Sequence, residues 1–412
     1  MATSSEIYVE LVELSGHVVS KVTWSATLRA NCLYQCAHLA KPGCRCRLLQ
    51  GSWEITPNTP LAALDLSLGA CIQVVWLSSS AATRYLQSEA FAAIKADGSV
   101  VTWGETDSGG DSSAVARLLT EGVVHVCGNA HSVAAIKADG SVVTWGEAEF
   151  GSDSSLFAPL LMEGVVQVCG SARAFAAIKA DGSVVTWGDD RCGADSLAVA
   201  ALLTEGVVHV CGNAHSFAAI KADGSVVTWG DARCGGNSSA VAAHLTEGVV
   251  QVCGNAHSFA AIKADGSVVI WGDARCGGNS SAVAAHLTEG VVQVCGSAGA
   301  FAAIKADGSV VTWGDAWCGA DSSAAAPLQT EGVVQVCGSA GAFVAIKADG
   351  SVVSWGDAIF GGDSSAVAAL LTWCCPCLWK CQGFRGHQSG QQCSDVGQSY
   401  FFAAILQRLL LF

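Results

Sequence analysis

Apolar and polar positions alternate with period two in short stretches along most of the chain, and the same stretch returns again and again. In Phe217–Trp229 two such stretches flank Asp223-Gly224. That dipeptide is a strong hairpin signal, because a type I′ turn needs positive φ at both central positions. Pairing outward from a two-residue turn sets Ala222 against Ser225, Ile220 against Val227 and Ala218 against Trp229. Alternation then assigns Ala218, Ile220, Val227 and Trp229 to one face. Phe217, Ala219, Val226 and Thr228, with Lys221, take the other. Both faces are largely apolar, so each small sheet has to lie between neighbours. Val207–Cys211, rich in β-branched residues, predicts a third strand. Ser238–Leu245 fits a short helix or loop outside the sheet.

The return interval is constant. Lys-Ala-Asp-Gly begins at Lys95, Lys137, Lys179, Lys221, Lys263, Lys305 and Lys347, and eight residues after each Lys stands a Trp, from Trp103 to Trp355, always followed by Gly. Glu-Gly-Val-Val-(His/Gln)-Val-Cys-Gly starts at Glu121, Glu163, Glu205, Glu247, Glu289 and Glu331. Seven units of 42 residues therefore fill 79–372. A three-stranded sheet is marginal alone. Burying one Trp contributes up to roughly 5 kcal/mol, but only if the next sheet is present. Radial stacking into a seven-bladed β-propeller supplies that neighbour and leaves few free edges. A helical solenoid is the competing arrangement.

These residues resemble a known family. Val-Val-x-Val-x-Gly-x-x-His-Ser followed by Ala-x-Lys-x-Asp-Gly-Ser-Val-x-x-Trp-Gly is similar to the regulator of chromosome condensation (RCC1-like) repeat, and the period is nearer its short-blade bacterial form. The resemblance implies a seven-bladed propeller. The first unit departs from it, since Ser79–Leu86 replaces the Val-Val strand, and Trp373-Cys-Cys-Pro-Cys stands where an eighth unit would open. Closure of the ring is expected to fall to residues 81–86.

The first 78 residues follow another pattern. Ile7, Val9 and Leu11 predict a strand, Ser15-Gly16 a turn, and Val18, Val22 and Trp24 a second strand. Thr27 is placed to cap a helix with Leu28, Cys32, Cys36 and Leu39 on its inner face, stopped by Pro42-Gly43. Arg47–Gly51, Pro60–Leu66 and Cys71–Leu77 complete a ββαβ…β order. This is similar to the ubiquitin-like (β-grasp) fold, but Leu77 runs into Ser78 with no terminal diglycine. The expected organisation is thus a ubiquitin-like domain at 1–78, the propeller at 79–372 and a Cys-rich, apolar tail at 373–412.

Composition changes the picture in two ways. The chain has 21 basic and 35 acidic residues, net −14. The whole excess lies in 79–372, with 13 basic against 29 acidic. Such a surface repels nucleic acid and steers basic proteins. The 20 Cys would suit a disulfide scaffold in a small secreted chain. No signal peptide or spanning apolar run is visible, so reduced thiols in a soluble protein of the cytoplasm or nucleus are expected, with no membrane contact.

Candidate chemistry is sparse. Cys127 and its equivalents (Cys169, Cys211, Cys253, Cys295, Cys337) recur once per unit, so they read as buried thiols, spaced too far apart for zinc. Cys192, Cys234, Cys276 and Cys318 recur in the loop after Trp-Gly and are expected to be more exposed. Cys32-x3-Cys36 and Cys44-x-Cys46 have zinc-like counts, but Cys32 and Cys36 also fit the helix's inner face, which favours core over metal. In the tail, Cys374, Cys377, Cys381, His387 and Cys393 are weak metal candidates whose spacing fits no standard ligand pattern. His131, His215 and His257 recur in Asn-Ala-His-Ser and read as loop residues, because no unit breaks the repeat to create a singular place. The acidic residue after each Trp-Gly (Glu105, Glu147, Asp189, Asp231, Asp273, Asp315, Asp357) is expected to form an interaction rim. No catalytic residue, cofactor or firm metal site emerges.

The expected function is therefore a non-catalytic scaffold or adaptor, acting as a monomer on a protein partner with a basic surface. The resemblance connects such propellers to ubiquitin ligases, whose catalytic region is far longer than the residues after the array here. Recruitment of substrates in the ubiquitin pathway is the reading it leaves. The alternative is guanine-nucleotide exchange on a small GTPase, which in the family depends on a wedge loop; this array has no insertion. Inhibition of a secreted hydrolase, as by the bacterial forms, lacks a signal sequence.

Overall fold

The computed structural model describes residues 6–363 except 14–17, 29, 41–45, 51–52, 56–58, 65–70, 77–81, 84–89, 96, 322–331 and 350. The chain is mainly β. Five strands, β1 (Glu6–Glu13), β2 (Val18–Ser25), β3 (Cys46–Gln50), β4 (Trp53–Ile55) and β5 (Cys71–Trp76), form one sheet in the order β2-β1-β5-β3-β4. β1 and β5 run parallel; the other pairs are antiparallel. Ile7, Val9 and Leu11 alternate into a core shared with Leu48, Ile55, Ile72 and Val74.

Helix α1 (Asn31–Ala40) covers this core with an inner face one residue away from the expected one. Ala30, Leu33 and Ala37 are buried, Cys32 and Cys36 sit half-buried at the border, and Leu28 is 41% exposed. Thr27 does not cap the helix. It lies in a turn closed by the Leu28 N–H on the Ser25 carbonyl (3.0 Å), and its hydroxyl bonds the Ser25 hydroxyl at 2.8 Å. The chain is anchored one turn later, where the Ala30 N–H donates to the Thr59 carbonyl at 2.8 Å. That later start rotates the buried stripe. Ser15-Gly16, Leu39, Pro42-Gly43, Cys44 and Leu77 lie outside the described residues or side chains.

Between Ala82 and Gly356 the described strands make seven three-stranded sheets, one per repeat unit. In the first, β6 (Ala82–Thr83) pairs with β7 (Ala90–Ile94), which pairs with β8 (Val100–Gly104). Ala82–Thr83 thus supplies the missing first strand within its own unit. In the fourth unit Val207–Gly212, Ser216–Lys221 and Val226–Gly230 follow in spatial order. Ser239–His244 is a short 3-10 helix after the strands of that unit, as expected.

The hairpin register differs from the two-residue expectation by one position. Lys221 N–H donates to the Ser225 carbonyl (2.8 Å) and Gly224 N–H to the Lys221 carbonyl (2.9 Å), so the loop has three residues, Ala222 to Gly224. Only Gly224 has positive φ (78°), and no residue other than Gly does among those described. This is a type I turn followed by a left-handed Gly, and Asp223 need not leave the ordinary region. Its carboxylate instead accepts from Ser225 N–H (2.9 Å) and hydroxyl (2.7 Å). The extra residue pairs Phe217 with Trp229 and Ile220 with Val226. Phe217, Ala219, Val227 and Trp229 therefore share a face.

That face meets the preceding sheet. Ala174, Ala176 and Ile178 of the third unit pack against Phe217, Ala219, Val227 and Trp229 of the fourth. The Phe217 and Trp229 rings stack at 5.4 Å, and Trp229 Nε1 donates to the carbonyl of Gly193 in the unit before, at 3.0 Å. The same bond runs from Trp145, Trp187, Trp271, Trp313 and Trp355 to Gly109, Gly151, Gly235, Gly277 and Gly319. Trp103, in the first sheet, stacks on Phe91 but is 43% exposed, whereas its six equivalents are buried.

Candidate functional site

Each Trp-Gly is followed by a loop whose geometry is written in four residues. In the fourth unit Gly230 takes φ 101°, Asp231 stays extended, a 3-10 turn covers Ala232–Cys234, and Gly235 closes it at φ 95°. The Asp231 carboxylate accepts the Arg233 N–H at 2.8 Å, satisfying a donor that the short turn leaves open. Asp189, Asp273, Asp315 and Asp357 do the same for Arg191, Arg275, Trp317 and Ile359. Glu105 and Glu147, one methylene longer, make no such cap, and Glu147 lies 3.7 Å from His131 Nδ1. The expected acidic rim is thus of two kinds, five carboxylates that build their own loops and two Glu that do not. After Asp231, Asp273, Asp315 and Asp357 the loops present outward an Ala and then Arg233, Arg275, Trp317 or Ile359.

A second repeated feature was not read from the sequence. Each first strand of units two to seven carries a β-bulge at the second Val of Glu-Gly-Val-Val. In the fifth unit Val249 pairs with Lys263 and Gln251 with Ile262, leaving Val250 as the extra residue. A bulge re-aims its side chain out of the pleat. Val250, Val292 and Val334 are 58, 57 and 58% exposed, at one equivalent bulged position of three consecutive sheets. Val124, Val166 and Val208 are the same position in the earlier units and are partly covered. The signal was present as a second β-branched residue in an edge strand, but only a register shows which of two valines is extra.

The cysteines divide as the strands do. Cys127, Cys169, Cys211, Cys253, Cys295 and Cys337 are buried, as expected. The loop cysteines depart from expectation: Cys192 and Cys234 are buried, Cys276 and Cys318 half-buried. Burial, then the Asp231 and Asp273 carboxylates, raise the Cys234 thiol to about 11. Burial followed by the Asp189 carboxylate raises Cys192 similarly, to about 11.

The Asn-Ala-His-Ser loops also differ from a uniform array. Asn213 Oδ1 accepts from the N–H groups of His215 (2.9 Å) and Ser216 (2.8 Å), fixing the imidazole over the previous unit's loop. His215 Nδ1 lies 3.6 Å from Cys192 Sγ, and His257 Nδ1 3.4 Å from Cys234 Sγ. The two imidazoles stack at 5.5 Å. Two consecutive units carrying His bracket one buried Cys, so the repeat does contain a singular place. At the equivalent position Arg173 lies over Phe150, and Gly occupies 299 and 341. The tail candidates Cys374, Cys377, Cys381, His387 and Cys393 lie outside the described residues, as does the side chain of Cys46.

No helix among the described residues is long and apolar enough to cross a membrane. Among solved structures, the chain is similar to Prp20p of Saccharomyces cerevisiae, with 16% identity over 58% of this chain and 72% of that one and a TM-score of 0.38. It is similar to yeast RCC1 (Prp20) in complex with Kap60, with 13% identity, 92% and 89% covered and a TM-score of 0.40. The CRINKLY WD40 ectodomain of the Arabidopsis thaliana receptor kinase ACR4 gives 16%, 68%, 95% and 0.40. No protein-family model matches the chain. No curated protein matches it.

Proposed function

We propose that this chain is a non-catalytic protein-interaction scaffold, a propeller of seven three-stranded blades that takes a partner of basic surface with an apolar strip. The observation that carries the reading is the row of bulged Val250, Val292 and Val334, apolar side chains held in solvent at one position of three successive sheets. Three apolar side chains left exposed at one position of successive first strands favour contact with another surface. The acidic excess of 79–372 supplies the charge that selects a basic partner and raises its encounter rate. The sheet order β2-β1-β5-β3-β4 with parallel β1 and β5 supports reading 1–78 as a ubiquitin-like module, and hence the scaffold as a recruiter in the ubiquitin pathway.

The test is crosslinking mass spectrometry of the full chain in native extract, beside the V250S/V292S/V334S variant. Partner crosslinks to Lys263, Lys305 and Lys347, which pair with the first valine of those strands, are expected in the natural chain. They should vanish in the variant with its melting temperature unchanged, and weaken with added salt. Crosslinks that survive the triple substitution would overturn the role of the strip, and accelerated nucleotide release from a small GTPase would replace the scaffold with an exchange factor.

A further inference from the structure

We propose that His215, Cys234 and His257 form a binding site for one zinc(II) ion, held between the fourth and fifth repeat units. One ligand atom from each of the three lies within 4.8 Å of the other two. A tetrahedral ion with metal–sulfur bonds of about 2.3 Å and metal–nitrogen bonds of about 2.0 Å sets neighbouring ligand atoms roughly 3.5 Å apart. Cys234 Sγ and His257 Nδ1 already stand 3.4 Å apart. His215 stacks on His257 at 13° from parallel; its Nδ1 lies 3.6 Å from Cys192 Sγ, and the ring still places a nitrogen within 4.8 Å of the Cys234 thiol. Only a short contraction is needed to close the set.

The chemistry of the donors fits a borderline cation. Burial, with the neighbouring His257 imidazole second, lowers the His215 pKa, the direction of the neutral form that a metal takes. Cys234 is buried and gives up its proton to solvent when the ion binds. The thiolate and two neutral imidazoles leave the site with a single positive charge. The Asp231 and Asp273 carboxylates, held by their caps on Arg233 and Arg275 N–H, raise the free Cys234 thiol, but they attract the net positive charge of the loaded site. Water completes the fourth position. The arrangement belongs to this junction because it needs His in two consecutive units and Cys in the loop between them. At the next junction the position of His257 is taken by Gly299, so Cys276 has no second imidazole in the equivalent place.

Zinc here would add a coordinate link between two units to the Trp–Gly bond and apolar packing already at their junction. The site is read out with cobalt(II) on the reduced full chain, since a thiolate ligand gives a charge-transfer band that water and imidazole do not. One equivalent of cobalt should produce the band and one of zinc should abolish it. C234S removes it. H215A and H257A each weaken binding by about tenfold or more, the loss that even outer-shell partners cause. C276S and the triple variant C374S/C377S/C381S keep the band, which separates this site from its neighbour and from the tail. If C234S does not fold, by circular dichroism, the two His variants decide. A band that survives H215A and H257A, that disappears with the tail cysteines, or that never forms overturns the proposal.

Discussion

At the residue scale, two positions show how much a single atom decides. A Cβ on Gly224 would sit 2.6 Å from the backbone N of Gly248 in the next unit, on top of the cost of its positive φ. Gly206 also has positive φ (77°), but a Cβ there meets only the flexible end of Lys221 at 3.4 Å. G224A should therefore lower stability by about 1–3 kcal/mol, and by more than G206A, in urea unfolding of the two variants; equal losses would mean that the turns do not touch the next unit. His209 is the second case. Part of the residue meets solvent, but its imidazole is enclosed, and burial lowers its pKa to about 4. A depressed pKa gives stability that is complete above the unfolded value near 6.5 and is lost as pH falls towards 4, up to about 3 kcal/mol. Gln stands at this position in units three, five, six and seven. H209Q should flatten the fall in melting temperature between pH 6.5 and 4 and leave it alone at pH 8.

At the element scale, the hairpin shows why turn chemistry outranks a dipeptide signal. Asp-Gly was compatible with a two-residue I′ loop, yet Asp223 finds its hydrogen bonds in Ser225 without adopting positive φ, and the three-residue loop shifts every pair by one. The shift brings Phe217 onto Trp229 and turns both towards the neighbouring sheet. The bulge in the first strand acts the other way, turning a valine out. Neither feature changes which residues are strand; both change what the strand shows. In the same manner α1 keeps its predicted existence while its start, set by Ala30 on Thr59, rotates the buried stripe from Cys36 to Ala37.

At the scale of the whole molecule, stability comes from each sheet resting on the one before. Trp229 is buried and bonded to Gly193, so W229A should cost about 3–5 kcal/mol. Trp103 stacks on Phe91 but has 43% of its surface exposed, so W103A costs clearly less if that face stays open and as much as W229A if the propeller closes over it. Comparing the two variants by thermal unfolding reads the state of the array in solution. A small cost at Trp103 means its face is open, and equal costs mean that another surface covers it, as the closed ring proposed above requires.

The sequence by itself determined the unit and its strands. A 42-residue period, an apolar alternation and a Gly at each turn leave little choice of local structure, because these are properties of neighbours along the chain. Legible as well were the buried Cys127 series and the two apolar faces. Tertiary structure alone decided the pairing register, the outward valines and the meeting of His215, Cys234 and His257. The three side chains meet across separations of 19, 23 and 42 residues, and the register and bulges turn on one extra residue in a loop or strand, so which side chain arrives is settled by the paired backbone and not by alternation along the chain.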